Sequence, residues 1–497
     1  MEAGGGHPGQ RAAGHHRRGL RGSFRHILLV GWRLVQDVVV REFLAQEFFV
    51  RRIGESRGIV AQPAAQRRGK GKVTFVRDAA RKPLVIFAVC VSGCLSAQTL
   101  EVVPDHVLAD EPAAVRAKGL DPQERVTIRA ELVDGGGHHW AAQAEFVADA
   151  QGAVDVSRQA PAAGSYKEVS AMGLIWSMMP VEKNVAAYQP MPNLGPQTVG
   201  FRLLRKGEAA SSAQLEQATL APGVQRVAVR EGVLRGVLFL PSATERRPGV
   251  LVVGGSNGGV PLRPAAWLAS HGYVALALAY FRYDDLPAQL EAIPLEYFER
   301  ALAWLAQRPE MAGKRMAVMG TSRGGELALQ LGSMFPQIGA VVAYVPADVR
   351  YPACCGANRV PYAWTWQGHP LAYLPLGGRR QPELVFRAAI EVERTQGPVL
   401  MMSGEDDHLW RSWEMADAVV SRLRRNHFAY SFENLKYPHA GHSAGRPDIV
   451  PAWHGRIRHP VSGREIDLGG SARGDALSSL DSMPKVLEFL RQAFAER

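Results

Sequence analysis

Met316-Ala317-Val318-Met319-Gly320-Thr321-Ser322-Arg323-Gly324-Gly325-Glu326-Leu327-Ala328-Leu329-Gln330-Leu331 runs from a short apolar stretch, through a serine flanked by glycines, into a segment with helical spacing. A buried strand, a sharp turn and a helix are the context in which the pattern G-x-S-x-G carries chemistry. The turn is so tight that side chains two positions before and after the serine would collide with neighbouring backbone. It turns the hydroxyl of Ser322 away from the sheet, and the helix that follows directs its unpaired N–H groups at the same place.

The flanking sequence extends the pattern. Val250 to Val253 and Val274 to Ala279 read as buried strands. Leu295 to Ala306 has helical spacing, with Tyr297, Ala301, Leu302 and Leu305 on one face. Strands alternating with helices imply a parallel sheet covered on both faces. From about Val233 onward the chain is therefore expected to be an α/β-hydrolase fold with Ser322 as nucleophile.

A serine nucleophile needs a base, and the base needs an orienting acid. In this fold the acid and the histidine follow the serine in the chain. Pro398 to Met402 reads as a strand ending in Ser403-Gly404-Glu405-Asp406-Asp407-His408. Tyr430 to Leu435 reads as the next strand, followed by Tyr437-Pro438-His439-Ala440-Gly441-His442. By position alone Glu405, Asp406 and Asp407 are all candidate acids, and His439 and His442 candidate bases. His408 adjoins the acids too closely to be an independent base and reads as a lining residue. Gly254-Gly255-Ser256-Asn257-Gly258-Gly259 follows the first strand. An N–H from Ser256 or Asn257, with that of Arg323, would form an oxyanion hole. The loop lacks the lysine of a phosphate-binding loop and the glycine spacing of a dinucleotide site.

Ahead of this region, residues 98–232 read differently. Arg125 to Leu132 and Trp140 to Val147 alternate apolar and polar residues on either side of Asp134-Gly135-Gly136-Gly137. Val227 to Leu234 reads as a further hairpin turning at Glu231-Gly232. Period-two strands with glycine turns indicate a small all-β sandwich. His138 and His139 read as an exposed hairpin tip, and Trp176 as core.

The formal net charge is +11. Residues 1–82 account for all of it, with 17 Lys and Arg against 6 Asp and Glu, and the remainder holds 41 of each. A neutral body without a nucleic-acid motif argues against nucleic-acid binding. Residues 1–82 read as a basic segment that is either disordered or translated upstream of the true start. Arg77, Arg81 and Lys82 precede an apolar run, Leu84 to Val91, and then Ser92-Gly93-Cys94 and Leu95-Ser96-Ala97. Residues 83–97 thus carry the three-part pattern of an export signal. Val91-Ser92-Gly93-Cys94 resembles a lipobox, which would place a lipid anchor on Cys94. The chain is expected to be exported, periplasmic or lipid-anchored, with a cytoplasmic location as the alternative. Four cysteines are too few for a disulfide scaffold. Cys354 and Cys355 are adjacent, a spacing that disfavours a bridge between them. No spacing of cysteine or histidine implies a metal.

Together, Asp121-Pro122, Met172-Gly173-Leu174-Ile175-Trp176, Leu278-Ala279-Tyr280-Phe281-Arg282-Tyr283-Asp284-Asp285-Leu286-Pro287, Leu295-Glu296-Tyr297-Phe298, the Ser322 turn, Val392-Glu393-Arg394, Gly404-Glu405-Asp406-Asp407-His408 and Tyr437-Pro438-His439-Ala440-Gly441-His442 resemble the acyl-CoA thioesterase and bile acid-CoA:amino acid N-acyltransferase family. The resemblance covers roughly residues 100–497. It implies that Asp407 is the acid and His442 the base. The family's nucleophile is serine in the thioesterases and cysteine in the conjugating enzymes, so Ser322 implies a hydrolase of acyl thioesters that needs no cofactor. A carboxylesterase or an amine N-acyltransferase using the same three residues is the alternative, and a non-catalytic binding protein on the same fold is the rival from another class. The segment Tyr351 to Arg380, with Cys354, Cys355, Trp364 and Trp366, departs from the family's animal enzymes and leaves substrate choice open.

Overall fold

The structure, a computed structural model, describes residues 98–376 and 380–495. The basic segment and the export pattern with Cys94 lie outside the described residues. Among the described residues no helix is long and apolar enough to cross a membrane.

Residues from Thr99 to Ala218 form two sheets. Thr99–Val103, Ala114–Lys118 and Val154–Asp155 make the smaller one. The larger is built on Glu208–Ala218, Gln197–Arg205, Arg125–Val133 and His139–Val147, antiparallel in that order. The alternation in the sequence sorts side chains by face: Val126, Ile128, Ala130 and Leu132 point inward, as do Trp140 and Phe146 across the hairpin. Trp176 is buried as well.

The second part is an eight-stranded sheet. Its strands are β1 (Gln225–Val229), β2 (Arg235–Leu240), β3 (Arg247–Val253), β4 (Val274–Ala279), β5 (Met311–Thr321), β6 (Ile338–Tyr344), β7 (Val399–Gly404) and β8 (Phe432–Tyr437). They lie in the order β1-β2-β4-β3-β5-β6-β7-β8, and every neighbouring pair from β4 to β8 is parallel. Helices α1 (Leu262–Ser270), α2 (Glu296–Ala306), α3 (Arg323–Met334), α4 (Ser412–Arg425) and α5 (Ala472–Ala495) connect or follow these strands. This is the α/β-hydrolase architecture. The central strands β3, β4 and β6 are almost wholly buried, which explains why they read as continuous apolar runs rather than alternations. The hairpin expected at Glu231-Gly232 forms, but its first strand β1 joins the large sheet. The sheets therefore change over before Gln225, not at Gly232.

One apolar cluster runs without a break from the sandwich onto one face of the eight-stranded sheet, through Val250, Val252, Trp267 and Ala275. Polar groups fasten the same seam. Asp110 Oδ2 accepts from Trp267 Nε1 at 2.8 Å and meets His271 Nε2 at 2.7 Å. Ala109 O accepts from Ile449 N–H at 2.7 Å, and Gln217 Nε2 donates to Ile449 O at 3.0 Å. The sandwich thus grips the chain only a few residues beyond His442.

Replacing Asp110 by alanine strands two donors at a buried seam, and the expected loss of stability is roughly 2–3 kcal/mol. An earlier urea midpoint, followed by tryptophan fluorescence, reads it. An unchanged midpoint would show that the seam is held by its apolar contacts alone.

Candidate active site

Ser322 stands between β5 and α3 with φ 59 and ψ −120, outside the regions that L-residues normally occupy. The turn is possible because its flanks are glycines. A Cβ on Gly320 would lie 1.9 Å from the carbonyl oxygen of Gly324, and one on Gly324 would lie 2.5 Å from that of Gly254. The strained serine is fixed from both sides. Its N–H donates to Tyr344 O at 2.9 Å, and its carbonyl accepts from Glu326 N–H at 3.0 Å. Its side chain is left at the top of the sheet.

His442 follows β8 and reaches that side chain. Its Nε2 is 2.8 Å from Ser322 Oγ, and its Nδ1 is 2.8 Å from Asp407 Oδ2. Asp407 follows β7, and its other oxygen accepts from the N–H groups of Leu409 at 3.0 Å and Trp410 at 3.2 Å. A carboxylate accepts, so Nδ1 of His442 carries the proton and Nε2 is free to accept from the serine. All three residues are nearly buried. Trp410 packs edge-on against the imidazole with ring centroids 5.7 Å apart, and the N–H of His442 donates to Leu468 O.

The other candidates lie elsewhere. Glu405 is exposed, and Asp406 pairs with His408 at 3.0 Å. His439 is exposed on the outer side of its loop, where its carbonyl accepts from Ser471. His408 does not line the cavity as the sequence suggested. It is held outside between Asp406 and Asp467, because the chain reverses direction immediately after Asp407.

A cavity of about 870 Å³ opens above Ser322. Ser256 and Arg323 line it with the nucleophile. Asn257, the other expected oxyanion residue, is exposed and outside the lining, with its carbonyl taken by Arg282 at 3.1 Å. Leu376, Leu409, Trp410, Val461 and Ile466 give the wall its apolar character. Among the described residues no cluster of metal-ligating side chains is present.

One part of this wall was not legible beforehand, and another was singled out only as a departure from the family. The first is the hairpin Ile457–Arg458 with Glu465–Ile466, whose turn bears His459, Val461, Ser462 and Arg464. Its strands are too short for period-two alternation to register, and the only cue was Pro460 and Gly463 in the turn. The other is the segment from Ala353 to Asn358. Here Cys354 and Cys355 are disulfide-bonded, against the expectation from their adjacency. Cys355 takes a positive φ of 79, which lets the backbone between the two sulfurs fold back on itself.

Arg323 contributes more than its backbone. Its guanidinium donates to Pro352 O at 2.8 Å and Tyr351 O at 3.1 Å, and pairs with Glu326 at 3.1 Å. Glu326 is fully buried and also accepts from Trp364 Nε1 at 2.7 Å. Burial pushes its carboxyl up, and Arg323 opposes that shift. The pair ties the start of the cysteine segment to the base of α3.

Comparison with known proteins identifies the family. Residues 110–231 match the acyl-CoA thioester hydrolase/BAAT N-terminal region, and residues 293–352 and 379–496 match the BAAT/acyl-CoA thioester hydrolase C terminal. Mitochondrial acyl-coenzyme A thioesterase 2 of Mus musculus is 33% identical over 80% of this chain and 90% of its own. Acyl-coenzyme A thioesterase 1 of Homo sapiens is 32% identical over 77% of this chain and 93% of its own. The peroxisomal succinyl-coenzyme A thioesterase of Mus musculus is 29% identical over 79% and 96%. A solved dienelactone hydrolase-like promiscuous phosphotriesterase from metagenomic libraries shares 20% identity over 54% of this chain and 98% of its own, at a TM-score of 0.34 from which no detail transfers. The matches run through both the sandwich and the hydrolase sheet, and the chain belongs to the acyl-CoA thioester hydrolase/BAAT family.

Proposed function

We propose that this thioester hydrolase cleaves acyl-CoA through an acyl-serine intermediate on Ser322. The observation that carries the reading is the hydrogen-bonded series Ser322–His442–Asp407 at the floor of a largely apolar cavity. His442 Nε2 takes the hydroxyl proton as Oγ attacks the thioester carbonyl, and Asp407 holds the imidazole in the required tautomer and stabilises the cation that forms. The N–H groups of Arg323, at the free end of α3, and of Ser256 are aimed at the developing oxyanion. Collapse breaks the C–S bond, and His442 returns its proton to the departing thiolate. Water, deprotonated by the same histidine, then attacks the ester and releases the acid and Ser322. The apolar wall around Leu376, Leu409, Val461 and Ile466 suits an acyl chain.

A serine rather than a cysteine nucleophile favours water over an amine as acceptor, because an acyl-serine ester is the poorer acyl donor to amines. Activity on oxygen esters with the same three residues is the nearest alternative.

Ser322→Ala is expected to lower acyl-CoA turnover by roughly 10³-fold or more with an unchanged far-ultraviolet circular dichroism spectrum. Residual turnover near that of the wild type would remove the serine from the mechanism. If p-nitrophenyl esters of matched chain length turn over and acyl-CoA does not, the oxygen-ester alternative stands instead.

The neighbouring carboxylates separate the acid's role. Asp407→Asn is expected to lower kcat by roughly 10³- to 10⁴-fold through loss of the correct histidine tautomer. Asp406→Asn, which touches only His408 and the N–H of Gly470, should remain within a few-fold of the wild type. The reverse order of effects would reassign the acid to Asp406.

A further inference from the structure

His459 sits in the turn of the hairpin over the cavity and is 5% exposed. Its Nδ1 faces two backbone donors, the N–H of Val461 at 3.3 Å and that of Ser462 at 3.1 Å. A ring nitrogen that accepts from N–H groups carries no proton, so the proton of this imidazole is on Nε2. Burial, with the charge of Arg282 adding to it, holds His459 below the usual histidine range and keeps the ring neutral. Nε2 lies 2.9 Å from Ser256 Oγ. With the proton fixed on Nε2 the bond has one direction: His459 donates and Ser256 accepts. The hydroxyl proton of Ser256 is then left without an acceptor among the described residues.

The hydroxyl that carries this proton shares a cavity with the nucleophile. Ser256 lines the cavity together with Ser322. A Cβ on the preceding Gly255 would stand 2.9 Å from the carbonyl oxygen of Thr321 and 3.3 Å from Cβ of Ser322, so the loop lies directly against the nucleophile's turn. The loop is also rigid. Tyr280 O–H donates to Gly254 O at 2.7 Å, Gly259 N–H to Phe281 O at 3.0 Å, and Arg282 to Asn257 O at 3.1 Å.

We propose that the hydroxyl of Ser256 is a third donor to the oxyanion formed when Ser322 attacks, and that His459 is the positioning residue that aims it. The inference rests on the acyl-serine reading above and extends it to two side chains. Preorganisation is the physical advantage. A serine hydroxyl rotates freely, and a fixed donor on its lone pair removes the competing orientation in which it would give its proton to His459. The bland reading is that the Ser256–His459 bond only fastens the hairpin to the loop.

The test uses the full chain, with an acyl-CoA and the p-nitrophenyl ester of the same acid as substrates. The variants are Ser256→Ala, His459→Asn and the double variant. Asparagine sets an amide oxygen close to the place of Nδ1, so the turn keeps an acceptor while the donor to Ser256 is lost. Ser256→Ala is expected to lower kcat by about 10²-fold on both substrates with little change in KM. His459→Asn should lower kcat by a smaller factor on both, and the double variant should be no slower than Ser256→Ala, since the histidine acts only through the serine. Wild-type kcat in Ser256→Ala would overturn the proposal. So would a loss confined to KM or to the CoA substrate, which would make the hydroxyl a reader of the leaving group, and so would single effects that multiply in the double variant. A wild-type chain inert toward both substrates sinks the acyl-serine reading and this inference with it. An active wild type with an unaffected Ser256→Ala sinks the inference alone.

Discussion

The backbone of one residue sets the terms for the rest of the molecule. Ser322 is held in a conformation that costs of order 1–3 kcal/mol, and it persists because β3, β5 and β6 surround it. Tyr344 at the end of β6 accepts its N–H, the carbonyl of Gly324 excludes a side chain at Gly320, and the end of β3 with Gly254 excludes one at Gly324. The strain serves function, since it separates the serine side chain from the sheet and starts α3 at the next residue. The N–H of Arg323 is then unpaired within the helix and faces the same space as the hydroxyl. The placing of the hydroxyl and the free N–H at the start of α3 are thus two consequences of a single turn.

What that turn requires of its surroundings explains where the remaining residues fall. The acid and the histidine must arrive from β7 and β8, beyond β6, and the histidine's loop draws its support from elsewhere in the chain. Asp407 is oriented by the N–H groups of Leu409 and Trp410, and His442 by Leu468 and the ring of Trp410. The chain beyond His442 is gripped by the sandwich at Ile449, Ala452 and Gly455, through Ala109, Gln217, Trp176 and Ala186. The hairpin with His459 begins directly after that gripped stretch. A domain that contributes no lining residue to the cavity therefore holds the stretch of chain between His442 and the His459 hairpin. This gives a physical reason for the two domains to remain one compact unit.

The parts of this arrangement that depend on local spacing were readable from the sequence. G-x-S-x-G between an apolar run and a helical segment states its own geometry, because steric exclusion at the glycines acts within a few residues. The sandwich strands were equally plain, since alternation reports a half-buried sheet directly. The choice of Asp407 over Glu405 and Asp406 was not available from spacing, because three adjacent acids differ only in which way the chain turns after them. The resemblance supplied it, and the hydrogen bond to His442 now gives it a physical basis. The buried Arg323–Glu326 pair, the disulfide in the cavity wall and the contact of Ser256 with His459 depend on residues 3, 1 and 203 positions apart. Only the last is truly long-range. The first two were missed for a different reason: Arg323 was considered for its N–H alone, and adjacency was weighed without the positive φ that makes the bridge feasible.

The same comparison bounds what family membership carries. The C-terminal family match breaks off at residue 352 and resumes at residue 379. Between those points lies the segment from Ala353 to Asn358 that walls the cavity, along with Leu376. The break begins at the backbone that Arg323 holds through Tyr351 and Pro352, so the shared part of the fold ends at an anchor and the divergent part starts from it. Ser322, Asp407 and His442 all lie within the matched residues. So do Leu409, Trp410, Val461 and Ile466 of the cavity wall, whereas Ala353 to Asn358 and Leu376 do not. One stretch of wall in which this chain departs from the family match thus starts at the backbone held by the buried Arg323–Glu326 pair, which fixes where that stretch begins without fixing where it goes.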